Sequence, residues 1–201
     1  MSAVLLLSGG IESSVLLARE AKSLTYTLFI DYGQRAARRE QAAAEAQSAR
    51  HGVQLRRLDL SSVGDEFRAL HEYKLHVPLP HRNLVALALA LSFAANAGAR
   101  RILLALNRAD TLAYPSASPD FVAAFAALAR TLGDFSLETP LIELGKAEII
   151  AEGIRLNVNF AQTWSCLLGY AMPCRRCSQC RNRAAAFAAA RFPDMLAATP
   201  E

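Results

Sequence analysis

The sharpest pattern along the chain is an apolar run that stops abruptly at small polar residues. Val4-Leu5-Leu6-Leu7 reads as a buried strand, and Ser8-Gly9-Gly10-Ile11-Glu12-Ser13-Ser14 follows it directly. Val15-Leu16-Leu17-Ala18 then continues as the first turns of a helix. The alternation recurs downstream. Residues 24–30 are β-rich and predict a second strand, ending in Asp31-Tyr32-Gly33-Gln34. Residues 35–50 are rich in Ala, Glu, Gln and Arg and predict an exposed helix, stopped by Gly52. Residues 53–58 alternate well enough for a third, peripheral strand, whereas residues 61–80 hold no period and predict no element. Residues 84–96 are apolar nearly all round and predict a central helix, with prolines before it and Asn83 as its cap. Residues 101–106 predict a fourth strand. Ser118-Pro119-Asp120 opens a helix in which Phe121, Phe125, Leu128 and Leu132 recur on a helical period, the phenylalanines as core. Residues 138–142 predict a short fifth strand or extended segment, and residues 146–150 a further helix.

Strands that alternate with helices imply an α/β fold with a doubly wound, five-stranded parallel sheet. Ligands of such sheets gather at the carboxyl ends of the strands. With 201 residues the chain suits one compact body with a small appendage. The expected division is a nucleotide-binding domain over 1–160, with residues 161–201 forming a metal-binding segment and a C-terminal helix packed on it. A hydrophobic share of 53% against 20% charged residues, without any run of membrane-span length, excludes a membrane protein from the expectation. The first residues carry no basic leader, so a cytoplasmic location is expected. The net charge of +4 favours anionic ligands, and four metal-bound thiolates would lower it to roughly +2. The arginines of residues 35–50 read as a solvated face, and nucleic acid is not expected as a partner.

The chemistry begins at the first turn. A strand that passes through paired glycines into a helix offers free N–H groups and the positive end of the helix dipole to an anion. Ser8, Ser13 and Ser14 add hydroxyl donors. No Gly-Lys-Ser/Thr follows, so this is not a Walker A loop. Asp31, Tyr32 and Gln34 fall at a strand end beside the loop, and Arg82 and Asn83 at a helix start suited to a phosphate or carboxylate. Lys146 at a helix start opposes the dipole, a mild cost that is met if it faces an anion. His71, His76 and His81 form no compact ligand set.

All four cysteines, Cys166, Cys174, Cys177 and Cys180, follow the spacing C-x7-C-x2-C-x2-C. Cytoplasmic thiols stay reduced, which argues against disulfides. Two-residue gaps let successive thiolates turn onto one metal, and four thiolates suit a closed structural Zn²⁺ site. An iron–sulfur cluster is the rival, but Pro173 precedes the triplet instead of following a fourth downstream cysteine.

Taken together these motifs resemble the QueC family of queuosine biosynthesis, the 7-cyano-7-deazaguanine synthases. Residues 8–13 are similar to the SGGxDS loop of the PP-loop ATP pyrophosphatases, with Glu12 in the place of Asp. Phe29 to Gln34 match the family's FDYGQ, and Val77-Pro78 with Arg82-Asn83 match VPxRN with extra residues between. Thr139-Pro140-Leu141 with Lys146-Ala147-Glu148-Ile149 match TPL…KAEI, and Thr163-Trp164-Ser165-Cys166 with Pro173-Cys174, Cys177 and Cys180 match TWSC…PCxxCxxC. The resemblance implies a fold of the adenine nucleotide α-hydrolase type. It implies adenylation of a deazapurine carboxylate by ATP with Mg²⁺, attack by ammonia, and a second ATP to reach the nitrile. It assigns catalytic roles to Ser8, Glu12, Ser13 and Lys146. It assigns ATP binding to Ser8, Gly9, Gly10, Ile11, Glu12, Ser13, Ser14, Asp31, Tyr32, Gln34, Arg82 and Asn83, and one structural Zn²⁺ to the four cysteines. A homodimer is the arrangement often found in the family. One stretch departs: Tyr114-Pro115 is followed by Ser116-Ala117-Ser118 where the family has Asp-Cys-Arg. That leaves open a paralogue with another carboxylate substrate, a PP-loop tRNA-modifying or sulfur-transfer enzyme, and a non-catalytic relative that binds a partner.

Overall fold

Alternate residues of the first strand face two separate apolar cores. Ala3 and Leu5 pack with Leu16, Ile149 and Phe187, while Val4 and Leu6 pack with Leu87, Leu91 and Ile102. A strand buried on both faces must be apolar throughout, which is why its sequence does not alternate. The computed structural model describes residues 2–70 and 78–196. From β1 (Ala3–Leu6) the chain runs through α1 (Ile11–Glu20), β2 (Leu24–Asp31), α2 (Ala37–His51), β3 (Gln54–Asp59) and α3 (Ser61–Leu70). The second half holds α4 (Arg82–Asn96), β4 (Arg101–Leu104), α5 (Arg108–Ala113), α6 (Pro119–Thr131), β5 (Ser136–Glu138), α7 (Lys146–Arg155) and α8 (Ser178–Ala189).

The sheet order is β3-β2-β1-β4-β5, and every pairing is parallel. The chain winds from β1 to one side and then returns to the other at β4. That reversal opens a crevice at the carboxyl ends of the strands. β3 lies at the edge, as its weak alternation predicts. One core joins the sheet to α1, α7 and α8, and the other joins it to α4 and α6. Among the described residues no helix is long and apolar enough to cross a membrane.

Several elements differ from the sequence expectation. Helix α3 occupies a stretch where no element was expected. Its apolar residues Val63, Phe67 and Leu70 face outward, Leu70 with 72% of its surface exposed. Only Gly64 is buried, and a Cβ there would fall 2.0 Å from the Tyr32 carbonyl oxygen. The helix docks through a missing side chain, which apolar periodicity does not record. His71, His76 and Val77 lie outside the described residues. β5 ends at Glu138, because the chain turns immediately afterwards, with Ile142 N–H bonded to Thr139 O at 3.1 Å. Asn83 does not cap α4. His81 precedes the helix at φ 48°, and the Asn83 amide donates to Ser116 O at 3.0 Å. Nor is α4 central: it buries Leu87, Ala90, Leu91 and Ala94 and leaves Leu84 exposed. In α6, Phe125 is buried and Phe121 packs at the core margin, but Leu128 and Leu132 are exposed.

Candidate active site and metal centre

The loop between β1 and α1 is held open by one glycine. Gly9 adopts φ 75°, and a Cβ at this position would come within 2.4 Å of the Glu40 carbonyl oxygen. Only glycine satisfies both the backbone angle and the clearance. Gly10 is the N-cap of α1 and has no side-chain cap of its own, so the first N–H groups of the helix stay available to an anion. Ser8 and Ser13 face each other across the loop, with their hydroxyl oxygens 3.1 Å apart. Ile11 and Ser14 are fully buried and do not line the cavity; Ile11 keeps a free backbone N–H for a ligand, but Ser14, expected from the sequence to add a donor, spends its N–H on Gly10 O at 3.1 Å.

The loop opens onto a cavity of about 270 Å³ at the carboxyl ends of β1, β2 and β4. Ser8, Gly10, Glu12, Ser13, Tyr32, Gln34, Arg82, Asn83 and Lys146 all line it. Asp31 does not. Its carboxylate accepts from Gly33 N–H at 3.1 Å and from Arg57 Nη2 at 2.8 Å. Asp31 and Asp59 are directly opposed across the sheet edge, and Arg57 bridges the two.

Glu12 is the most heavily held acid of the site. Its Oε1 lies 2.8 Å from Lys146 Nζ and accepts from Asn107 Nδ2 at 2.9 Å. The anion that offsets Lys146 at the start of α7 is therefore a side chain of the loop itself. Asn107 is fixed in turn as the N-cap of α5. Its Oδ1 accepts from Ala109 and Asp110 N–H, and Asp110 returns a bond to its backbone. Burial pushes the Asp110 carboxyl above its ordinary range. Asn107 and Asp110 belong to the site, yet sequence reasoning assigned them no role; their signal is an Asn-x-x-Asp capping pattern after an apolar strand. Arg82 lies 5.6 Å over the Tyr114 ring, and among the described residues it forms no ion pair within 4.0 Å. Ser116 and Ala117 are buried beneath α4 and do not line the cavity.

The cysteine segment closes the site from one side. Trp164 N–H donates to Gly9 O at 2.8 Å, which ties this segment to the loop between β1 and α1. The four Sγ atoms lie within 4.8 Å of one another. Cys174 and Cys180 are 3.9 Å apart, near the ~3.8 Å edge of a tetrahedron with 2.3 Å metal–sulfur bonds. Backbone N–H groups of Cys174, Cys177 and Cys180 point at the Sγ of Cys166, Cys174 and Cys177 at 3.3–3.4 Å. Such donors stabilise thiolates. N–H groups of Arg176 and Cys177 pull the Cys174 thiol down to about 6, while burial pushes those of Cys166 and Cys180 up. The donor set fits one metal ion. The ligands of an iron–sulfur cluster sit on separate irons and stand farther apart.

Arg183 of α8 holds the segment from below. It is 4% exposed and forms a two-pronged pair with Asp194 at 2.7 and 2.8 Å. It also donates to Thr163 Oγ1 and Phe160 O at 2.8 and 2.9 Å. Removing one partner of a buried pair leaves the other charge uncompensated. Arg183→Met is expected to cost about 3–5 kcal/mol in urea unfolding, and adding Asp194→Leu to recover part of it. Equal midpoints for wild type and single variant would contradict this account.

A profile of the family described as "Queuosine biosynthesis protein QueC" matches residues 2–191. The 7-cyano-7-deazaguanine synthase of Ectopseudomonas mendocina (strain ymp) is 39% identical over 96% of this chain and 96% of its own length. That of Synechococcus sp. (strain RCC307) is 36% identical over the same shares. Among solved structures, an NH3-dependent NAD synthetase from Campylobacter jejuni superposes with a TM-score of 0.54 at 19% identity. That match covers 79% of this chain and 65% of the synthetase. The U34-tRNA thiolase NcsA from Methanococcus maripaludis, which carries a [4Fe-4S] cluster, gives 0.56 at 12% identity, over 100% of this chain and 74% of its own. These two structures share the fold.

Proposed function

The chain belongs to the QueC family of queuosine biosynthesis proteins, and from that membership we propose that its cavity converts 7-carboxy-7-deazaguanine into 7-cyano-7-deazaguanine. It is an ATP-using enzyme that forms C–N bonds on a small molecule. The observation that carries the reading is the open N-terminus of α1 facing a cavity in which Lys146 and Glu12 stand side by side.

A substrate carboxylate oxygen attacks the α-phosphorus of ATP, and pyrophosphate leaves. Ammonia displaces AMP and loses a proton, leaving an amide. The amide oxygen attacks the α-phosphorus of a second ATP and expels pyrophosphate, and departure of AMP with the two remaining N–H protons gives the nitrile. The protein's task is alignment and charge neutralisation, and no nucleophilic side chain is needed. N–H groups of residues 10–13 and the hydroxyls of Ser8 and Ser13 hold the pyrophosphate, whereas the Ser14 N–H is spent on Gly10 O. Lys146 offsets its charge, and Arg82 and Asn83 meet the acid at the opposite wall. Glu12 Oε1 is engaged twice, and Oε2 beside Gly10 is left for Mg²⁺, which neutralises phosphate charge when bound. Tyr32 and Gln34 shape the wall beyond the loop, and Asp31 acts by fixing the turn that carries them. Ser116, Ala117 and Ser118 differ from the family, but the first two are buried beneath α4, Ser118 caps α6, and none of the three lines the cavity, so the family's substrate is preferred to another carboxylate.

We assign the cysteine site to one structural Zn²⁺, since four thiolates leave no open position for water. A reducing cytoplasm and a homodimer belong to the same reading. The test is mass spectrometry of purified protein given Mg-ATP, ammonium and 7-carboxy-7-deazaguanine. Nitrile with two AMP per product is expected. Protein that binds ATP yet releases no AMP with this acid would refute the reading, and a stop at the amide would limit it to the first half-reaction.

A further inference from the structure

One acid in the cavity has no part in the chemistry above. Glu40, in the first turn of α2, lines the cavity together with Tyr32, Gln34, Leu79, Arg82 and Ala86. Its backbone supports the phosphate loop, since Gly9 lies directly against the Glu40 carbonyl. Its side chain reaches past the loop, where Oε2 accepts from Gln34 Nε2 at 3.0 Å. Gln34 is 5% exposed, and its amide is fully oriented. Its Oε1 accepts from Tyr32 N–H at 2.9 Å, and its Nε2 also donates to Ile30 O at 3.3 Å. Among the described residues Gln34 is the only side chain that donates to Glu40, and no cation lies within ion-pair distance of it. Burial pushes its carboxyl above the usual carboxylate range.

A carboxylate offers about four acceptor sites, and one is filled here. Leaving such a group on a cavity wall, with its nearest cation Arg82 beyond ion-pair distance, is unfavourable unless further N–H donors arrive. Phosphate would be repelled. The neighbours Leu79 and Ala86 are apolar and suit the face of a flat ring. The complementary guest is a planar heteroaromatic with two adjacent N–H donors along one edge. A 2-amino-4-oxo pyrimidine edge, as in a 7-deazaguanine, has that pair in its ring N–H and exocyclic amine. Adenine has a donor beside an acceptor and mismatches one carboxylate oxygen.

We propose that Glu40, aimed by Gln34, reads the ring N–H and 2-amino group of the deazapurine and selects it over bases that lack this donor pair. The inference rests on the proposed substrate class. A site built to bond a substrate N–H rejects analogues that leave its buried groups unpaired. Glu40→Gln replaces two acceptors by one acceptor and one donor, which matches a 2-oxo base instead.

The experiment measures kcat and KM of wild type and Glu40→Gln with 7-carboxy-7-deazaguanine and with its 2-oxo and 2-deamino analogues, alongside KM for ATP. Wild type is expected to favour the 2-amino acid. Glu40→Gln is expected to lose about 10²–10³ in kcat/KM on it through KM, and to match or exceed wild type on the 2-oxo acid. Its KM for ATP is expected to stay within about twofold and its zinc to be retained. An equal fractional loss on all three acids would reduce Glu40 to a structural role and overturn the proposal. A shift confined to ATP would assign the carboxylate to adenine and overturn it as well. If wild type forms no AMP with any of the acids, the proposed reaction fails, and calorimetry with the bases 7-deazaguanine and 7-deazaxanthine decides separately. A wild-type preference for the first that reverses in Glu40→Gln upholds the selection, and equal binding refutes it.

Discussion

Cys177→Ala is expected to emerge from purification without zinc and with its cysteine segment unfolded. Two losses coincide at this residue. It supplies one of four thiolates, and as the N-cap of α8 its sulfur accepts the Cys180 N–H at 3.4 Å. Structural zinc contributes apparent binding free energies of about 10–16 kcal/mol in small zinc domains, far above what one helix cap supplies. The damage is expected to spread to the loop between β1 and α1, because Trp164 N–H holds Gly9 O in place. Trp164 is the only tryptophan of the chain and is 7% exposed, so its emission reports the event directly. Elemental analysis should give one zinc per wild-type chain and none for the variant, with a red-shifted Trp164 emission and no AMP release. A chelator added to wild type should reproduce all three. A variant with full zinc and native emission would show that the ion is held by other groups.

Lys146→Ala should fold and keep its zinc, yet lose about 10²–10³ in kcat/KM for ATP. Lys146 is 2.8 Å from Glu12 Oε1, and both side chains are largely shielded from water. Without the lysine, Glu12 keeps only the Asn107 amide, and its negative charge faces the incoming triphosphate. The sign of the effect is therefore set by electrostatics. Lys146→Arg should restore part of the rate, and Lys146→Ala with Glu12→Gln should bind ATP without Mg²⁺ better than the single variant because the repulsion is gone. A single variant with wild-type rates would remove Lys146 from the chemistry.

The parts of this molecule that could be read in advance are those whose cause is local. β1 is apolar throughout because both faces are buried, and the paired glycines after it have one physical use at such a junction. The cysteines declared themselves because three of the four ligands lie within one short turn of chain. Partnerships between distant residues could not be read. Periodicity says that Glu12 lies at a helix start, but not that Asn107 and Lys146 converge on its Oε1. Asp31 stands where a ligand-binding acid would stand, and only the pairing of β2 with β3 brings Arg57 across to occupy it. Glu40 was hidden among the polar residues of an exposed helix. The wall it faces is assembled from β2 and the opening of α4. Arg183 looked like one arginine among many, and its burial follows from how α8 lies against the turn at Phe160–Gln162.

The bond between Trp164 N–H and Gly9 O joins a residue synthesised early to one synthesised late. At translation rates of about 5–20 residues per second, the interval between them is on the order of ten seconds. During that interval the nascent polypeptide carries the loop after β1 without the bond from Trp164. In the earlier part of that interval the strand ahead of it also lacks α4, which covers its second apolar face, and β4, which pairs along its edge. The loop after β1 therefore reaches its final, bonded form only after the cysteine segment has been made.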